Sequence, residues 1–183
     1  MIDPNHSRVG RIGGSDAKYL YSGRDTYTFS KWWMEKLGLI NPSNFNNIYT
    51  AVGTILEEVI LDRMGIPLNC RNLNFKLEGT IAAVSTDAFQ DGILHEAKTI
   101  KNFDKKGKIP LDYKRQLIHG AVVTGATNTV IHFLLVNDYD NLFNNADAEI
   151  ISIDFEPSKE EIDEHMEKIM YFTKCYDDDV WPT

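Results

Sequence analysis

Apolar positions change period several times along the 183 residues, and each change marks an element. Ile48, Val52, Ile55 and Val59 recur at helical spacing and predict a long helix that stops near Gly65. Shorter helices are predicted over 13–22, opened by Gly13-Gly14-Ser15, and over 28–38, ending at Gly38. Residues 72–77, Ile81 to Phe89 and Ile93 to Thr99 read as strands. The last two flank Asp91-Gly92, a dipeptide well suited to a tight hairpin turn. A helix from about Leu111 to Gly125 follows, then the continuous apolar run Val130 to Val136, which reads as a buried strand. Ile150 to Phe155 is a shorter strand, and Ser158-Lys159-Glu160-Glu161 fits the capping box that opens a final helix. With no repeat, low-complexity block or Pro/Ser-rich linker, the pattern predicts one domain over 1–183. Its core spans about 8–137, followed by an acidic strand and helix over about 138–180. The expected class is α/β, a central mixed β-sheet flanked by helices.

Composition narrows the functional classes. No stretch approaches the ~20 consecutive apolar residues of a membrane span, and the N-terminus lacks the pattern of a signal peptide, so a cytoplasmic address is the default expectation. Cys70 and Cys175 are the only cysteines, too few for a disulfide framework or an iron–sulfur cluster. The net charge of −8 is unevenly distributed. Asp138 to Asp179 holds fourteen acidic and three basic residues, whereas residues 1–137 carry a net charge of +3. The densest basic run goes from Lys98 through Lys101, Lys105, Lys106 and Lys108 to Lys114 and Arg115. Phosphate contacts need local positive charge, not a positive total. A lysine run alone reads as a solvated loop; its position just after the hairpin gives it interest.

With Asp91 and Gly92 as the centre of a type I′ turn, pairing runs Gln90 with Ile93 down to Asp87 with Glu96. That register opposes two carboxylates at roughly 5 Å between Cβ atoms, and strand alternation adds Lys98 to the same face. Like charges across a ladder destabilise a sheet, so a compensating cation is expected. Hard cations such as Mg²⁺ or Mn²⁺ take oxygen ligands, which Asp87, Glu96 and the carbonyl of Ala97 could supply. Such a centre could activate water against a phosphodiester, with Lys98 steadying the developing charge. The same hairpin also reads as a surface turn whose acidic pair a lysine merely neutralises.

Asp87 followed by Glu96-Ala97-Lys98 resembles the D…ExK signature of the PD-(D/E)xK nucleases. Three further segments are similar to motifs of the λ-type exonucleases and YqaJ-like viral recombinases, in the same order. They are Arg8-Val9-Gly10-Arg11-Ile12-Gly13-Gly14-Ser15-Asp16, Gly53-Thr54-Ile55-Leu56-Glu57 and Tyr113-Lys114-Arg115-Gln116. The resemblance implies a restriction-endonuclease-like core and a Mg²⁺- or Mn²⁺-dependent exonuclease working 5′ to 3′ on duplex DNA ends in phage-type recombination. Asp87, Glu96, Lys98 and Gln116 match catalytic positions, and Glu57 joins Asp87, Glu96 and Ala97 as a metal ligand. Arg8 and Ser15 match the positions that hold the 5′-phosphate, with Tyr113 and Lys101 as further DNA contacts. A single-strand annealing partner and a homo-oligomeric ring, a trimer, are implied as well. A phage or prophage protein in a bacterial cytoplasm would fit.

Two alternatives stand beside this reading. An endonuclease or nickase could use the same core, and a non-catalytic subunit could bind DNA or an annealing protein without cutting it. Glu58 competes with Glu57, because helical geometry places it nearer the stripe of Ile48, Val52, Ile55 and Val59. Trp32, Trp33, Tyr19, Tyr21 and Tyr27 read as core in preference to base-stacking residues, and His95, His119 and His132 as ordinary histidines.

Overall fold

The computed structural model describes residues 8–41, 48–101, 107–136 and 148–183, with 48 and 49 as backbone only. Lys105, Lys106, Asp138 and the side chain of Ile48, which the sequence singles out, lie outside them. A 3₁₀ helix over Gly14–Tyr21 precedes α1 (Tyr27–Lys36), whose N-cap Thr26 accepts a hydrogen bond from the Phe29 N–H. Then come α2 (Ile48–Arg63), β1 (Asn74–Lys76), β2 (Ala83–Ser85), β3 (Ala88–Gln90) and β4 (Ile93–Ile100). The chain continues with α3 (Leu111–Thr124), β5 (Asn128–Leu135), β6 (Ile150–Phe155) and α4 (Lys159–Asp177). Gly125 ends α3 at φ +73°, and the expected box of Ser158 and Glu161 caps α4.

Four strands form a mixed sheet in the order β3-β4-β5-β6, while β1 and β2 pair as a separate ribbon. β3 and β4 are antiparallel around Asp91 and Gly92, both at positive φ, in the register Ala88–His95, Phe89–Leu94, Gln90–Ile93. β4 and β5 run parallel with α3 as their crossover, and β6 closes the sheet antiparallel to β5. Side-chain alternation divides the packing. Ala97, Leu134 and Val136 face α2, where Val52, Leu56, Ile60 and Leu61 cover them. Ile131 and Phe133 face α3 through Leu117. A further core joins the 3₁₀ helix, α1, α3 and α4 around Trp33, Phe29 and Phe172, all fully buried.

Two expectations change. The strand read from Ile81 to Phe89 is two strands in different sheets, broken at Thr86-Asp87. There the Thr86 N–H donates to the Leu73 carbonyl and the Asp87 carbonyl accepts from the Asn72 N–H, so the backbone turns toward the preceding loop. On α2, the buried stripe passes through Val52, Leu56 and Ile60, and Ile55 is 54% exposed.

α3 lies so close to β4 that a methyl group on Gly120 would overlap the buried Leu94 side chain. Gly120 stands one helical turn beyond Gln116 on the same face. Gly120→Ala is therefore expected to cost about 1–3 kcal/mol by overpacking. It should lower the melting temperature by several degrees, readable by calorimetry.

Candidate active site

The site is assembled where β3 stops. Its ladder ends at Ala88 opposite His95, leaving the next inward-facing donor of β4, the Ala97 N–H, without a strand partner. Asp87 takes that place with its side chain: Oδ2 accepts from Ala97 N at 2.8 Å. Asp87 is thus beside Glu96 but is not its ladder partner, which corrects the hairpin register at its last step. Alternation along β4 puts Glu96 and Lys98 on one face.

Lys98 is the centre of the cluster. Its Nζ lies 2.5 Å from Glu96 Oε1, 3.4 Å from Glu57 Oε1 and 3.7 Å from Asp87 Oδ2, and it donates to the Ala97 carbonyl at 3.0 Å. Gln116, reaching in from α3, donates from Nε2 to the same Glu96 oxygen at 2.5 Å. Gly14 abuts the other side of Gln116, where an added Cβ would fall 3.2 Å from Gln116 Cγ. Glu57 of α2 points into the cluster, whereas Glu58 points away to Arg71 and Asn72.

The electrostatics follow from burial. Glu96 is 4% exposed, and that desolvation, opposed by Lys98 and reinforced by Asp87 and Glu57, pushes its carboxyl up to about 7. Burial also raises Glu57, with Lys98 opposing. Burial alone would lower Lys98, but the three carboxylates around it hold its ammonium above the ordinary lysine range. Lys98 is therefore held as the charged ammonium at neutral pH.

Among the described residues, no three His, Cys, Asp or Glu side chains by themselves form a metal-binding group. The ammonium of Lys98 instead gathers Glu57, Asp87, Glu96 and the Ala97 carbonyl. Those four are hard oxygen donors of the kind Mg²⁺ and Mn²⁺ prefer, so their chemistry fits such an ion with Lys98 as its stand-in.

One cavity adjoins the cluster at Gln116, and a second shares Ser15 and Lys18 with the first. The first, of about 500 Å³, is lined by Gln116, Tyr113, Ile100 and Asp112 together with Ser15 and Lys18. The other, of about 450 Å³, is lined by Arg8 and, again, Ser15 and Lys18, with Trp32 in its wall. The structure thus brings Arg8 and Ser15 to one cavity and leads from it to Gln116. Tyr113 packs on Phe133, and Lys101 is exposed just past the end of β4. Other members of the basic run are engaged: Lys114 pairs with Glu161 of α4 at 2.6 Å, and the Arg115 guanidinium lies over the Tyr21 ring.

Sequence reasoning missed Asp16 as an organiser of this end. It accepts from the Gly13 N–H, from Trp32 Nε1 at 3.0 Å and from Lys36 Nζ at 2.6 Å, and Lys36 is 2% exposed. Breaking such a buried pair costs about 3–5 kcal/mol, so Asp16 holds the 3₁₀ helix against α1. The i,i+4 spacing of Trp32 and Lys36 was the available signal. Trp32 and Trp33 are core, as expected, although the Trp32 edge reaches the cavity; Tyr27, also expected in the core, is instead 80% exposed.

No protein-family model matches the chain, and no curated protein sequence matches it. Solved structures do. The alkaline exonuclease LHK-Exo of Laribacter hongkongensis superposes with a TM-score of 0.73 at 15% identity, covering 96% of this chain and 92% of that one. LHK-Exo in complex with dAMP gives 0.74 at the same identity and coverage. A phage-related exonuclease of Haemophilus somnus gives 0.66 at 15% identity, covering 96% and 97%. The chain has the fold of these alkaline and phage-related exonucleases.

Proposed function

We propose that this protein is a DNA exonuclease that hydrolyses phosphodiesters from duplex ends, 5′ to 3′, with Mg²⁺ or Mn²⁺. The observation that carries the reading is the convergence of Glu57, Asp87, Glu96 and Gln116 on Lys98, beside cavities that lead to Arg8 and Ser15. The shared fold supports it, one of the neighbours being an exonuclease with bound dAMP.

Asp87, Glu96 and the Ala97 carbonyl, with Glu57, would hold a divalent ion that polarises the phosphodiester and acidifies a bound water. Lys98 presents a positive charge where negative charge develops on the phosphate. Gln116 fixes Glu96 from the α3 side and faces the cavity, where its amide can orient the reacting phosphate or water. Arg8 and Ser15 hold the terminal 5′-phosphate, which sets the register of the strand, and Tyr113 and Lys101 contact the DNA beyond it. Transfer of the exposed strand to an annealing protein, and closure into a homo-oligomeric ring, follow from the resemblance to λ-type exonucleases.

The test is digestion of linear duplex, 5′-phosphorylated and labelled at either end, beside a closed circle, with Mg²⁺ and with EDTA. Metal-dependent loss of the linear form from its 5′ end, sparing the circle, is expected. Arg8→Ala should erase the preference for phosphorylated over unphosphorylated ends. Cutting of the circle would establish an endonuclease, and no cutting with either metal would sink the enzymatic reading.

A further inference from the structure

The cavity at Arg8 is larger than a phosphate requires. At about 450 Å³ it has room for a whole nucleotide, and its walls are of two kinds. Arg8 and Lys18 supply positive charge on one side, while α1 supplies a ledge through Tyr27 and Lys31. These three cations outnumber the two carboxylates in the lining, Glu35 and Asp16, and Lys36 pairs with Asp16. Tyr27 and Lys31 stand four residues apart, so they share one helix face and are presented together. Tyr27 is 80% exposed at the first position of α1, whereas the neighbouring aromatics are committed: Trp32 is buried, bonded to Asp16 and stacked on Tyr19 at 4.9 Å. A ring at the lip of a cationic cavity is how single-stranded nucleic acid is gripped without regard to sequence, because every base offers a π-face.

We infer that Tyr27 is a specificity-determining residue that stacks on the base of the 5′-terminal nucleotide, with Lys31 beside it countering the following phosphate. The cavity is then a nucleotide subsite, and end recognition requires a base as well as a phosphate. This rests on the proposed exonuclease reading.

Binding is measured by fluorescence anisotropy in EDTA, on duplexes with 5′-phosphorylated ends whose terminal residue either bears a base or is abasic; KM and kcat are measured with Mg²⁺. Wild type should bind the base-bearing end on the order of tenfold more tightly than the abasic one. Tyr27→Ala should bind both ends at the weaker level and raise KM with little change in kcat, and Tyr27→Phe should restore the wild-type pattern. Because Tyr27 is exposed, melting temperatures should agree among the three. If Tyr27→Ala keeps the preference for the base-bearing end, the stacking assignment is overturned and the exonuclease reading stands. If wild type binds no DNA end and cuts none, both are overturned.

Discussion

Lys98→Met is expected to lower DNA cleavage by on the order of 10³-fold or more while the protein stays folded. The size of the effect comes from the geometry. Nζ contacts Glu96, Glu57, Asp87 and the Ala97 carbonyl at once, so one substitution removes the positive charge at the centre of the cluster. The fold survives because Glu96 is already poised to take a proton near neutral pH, and Gln116 still donates to it. Methionine keeps most of the stem that lies along the sheet. The variant also separates catalysis from metal binding. With the ammonium gone, the three carboxylates repel one another more strongly, so Mg²⁺ or Mn²⁺ should raise the melting temperature at least as much as in wild type. Glu96→Gln should lose both cleavage and that metal-induced rise. Turnover and calorimetric melting with and without metal read out both variants. Undiminished cleavage in Lys98→Met would remove Lys98 from the mechanism.

The hairpin was legible because its signals are local. Asp91-Gly92 dictates the turn, the turn dictates the register, and period-two alternation puts Glu96 and Lys98 on one face. The reading failed one step further along, at Asp87, because that residue answers to a distant constraint. Its carbonyl is bonded to Asn72 in a preceding loop, and its side chain replaces a strand in bonding Ala97. Glu57 and Glu58 divide in the same way. The apolar stripe named from sequence included Ile55, which is exposed; the stripe through Leu56 and Ile60 turns Glu57 toward Lys98 and leaves Glu58 to Arg71. Which of two adjacent glutamates enters a site depends on the rotation of a helix about its axis, and that is set by the sheet it packs on. The Asp16–Lys36 pair joins residues twenty apart on different helices; the i,i+4 spacing of Trp32 and Lys36 marks one helix face but not the partner that it meets.

Acid should destabilise the protein from pH 6.5 downward, before its carboxylates in general are protonated. The cause is a pair of buried histidine assemblies. In the first, the Ala83 carbonyl can only accept, so His119 Nε2 carries a proton and donates to it at 3.2 Å. His119 Nδ1 is then a bare acceptor for the His165 Nε2–H at 3.0 Å, and His165 Nδ1 accepts the Tyr21 hydroxyl at 2.8 Å. Every ring nitrogen is satisfied with both imidazoles neutral and fully buried, and a proton added to His119 would face another N–H. Burial, with His119 and Lys168 adding to it, depresses His165 to about 3; burial likewise lowers His119, opposed by the Ala83 carbonyl and Asp16. In the second assembly His132 lies 3.0 Å from His95 and 2.7 Å from Ser152, and burial with His95 takes it to about 4. Burial lowers His95 as well, with Asp154 opposing. Between pH 6.5 and 5 the unfolded chain therefore binds protons at these four histidines more readily than the folded chain, and stability falls with pH. Glu96 opposes this, because a folded value near 7 means that the folded state takes up a proton first, and Glu57 adds to that opposition in the same sense. Four histidines against these two carboxyls leave a net uptake by the unfolded chain, and each proton of difference is worth about 1.4 kcal/mol per pH unit. Bound metal should steepen the slope by keeping both carboxyls ionised. Urea unfolding at pH 8, 6.5 and 5 measures it. His132→Gln should flatten the slope even if it lowers stability at pH 8. Unchanged wild-type stability down to pH 5 would show that these histidines accept protons in the folded state.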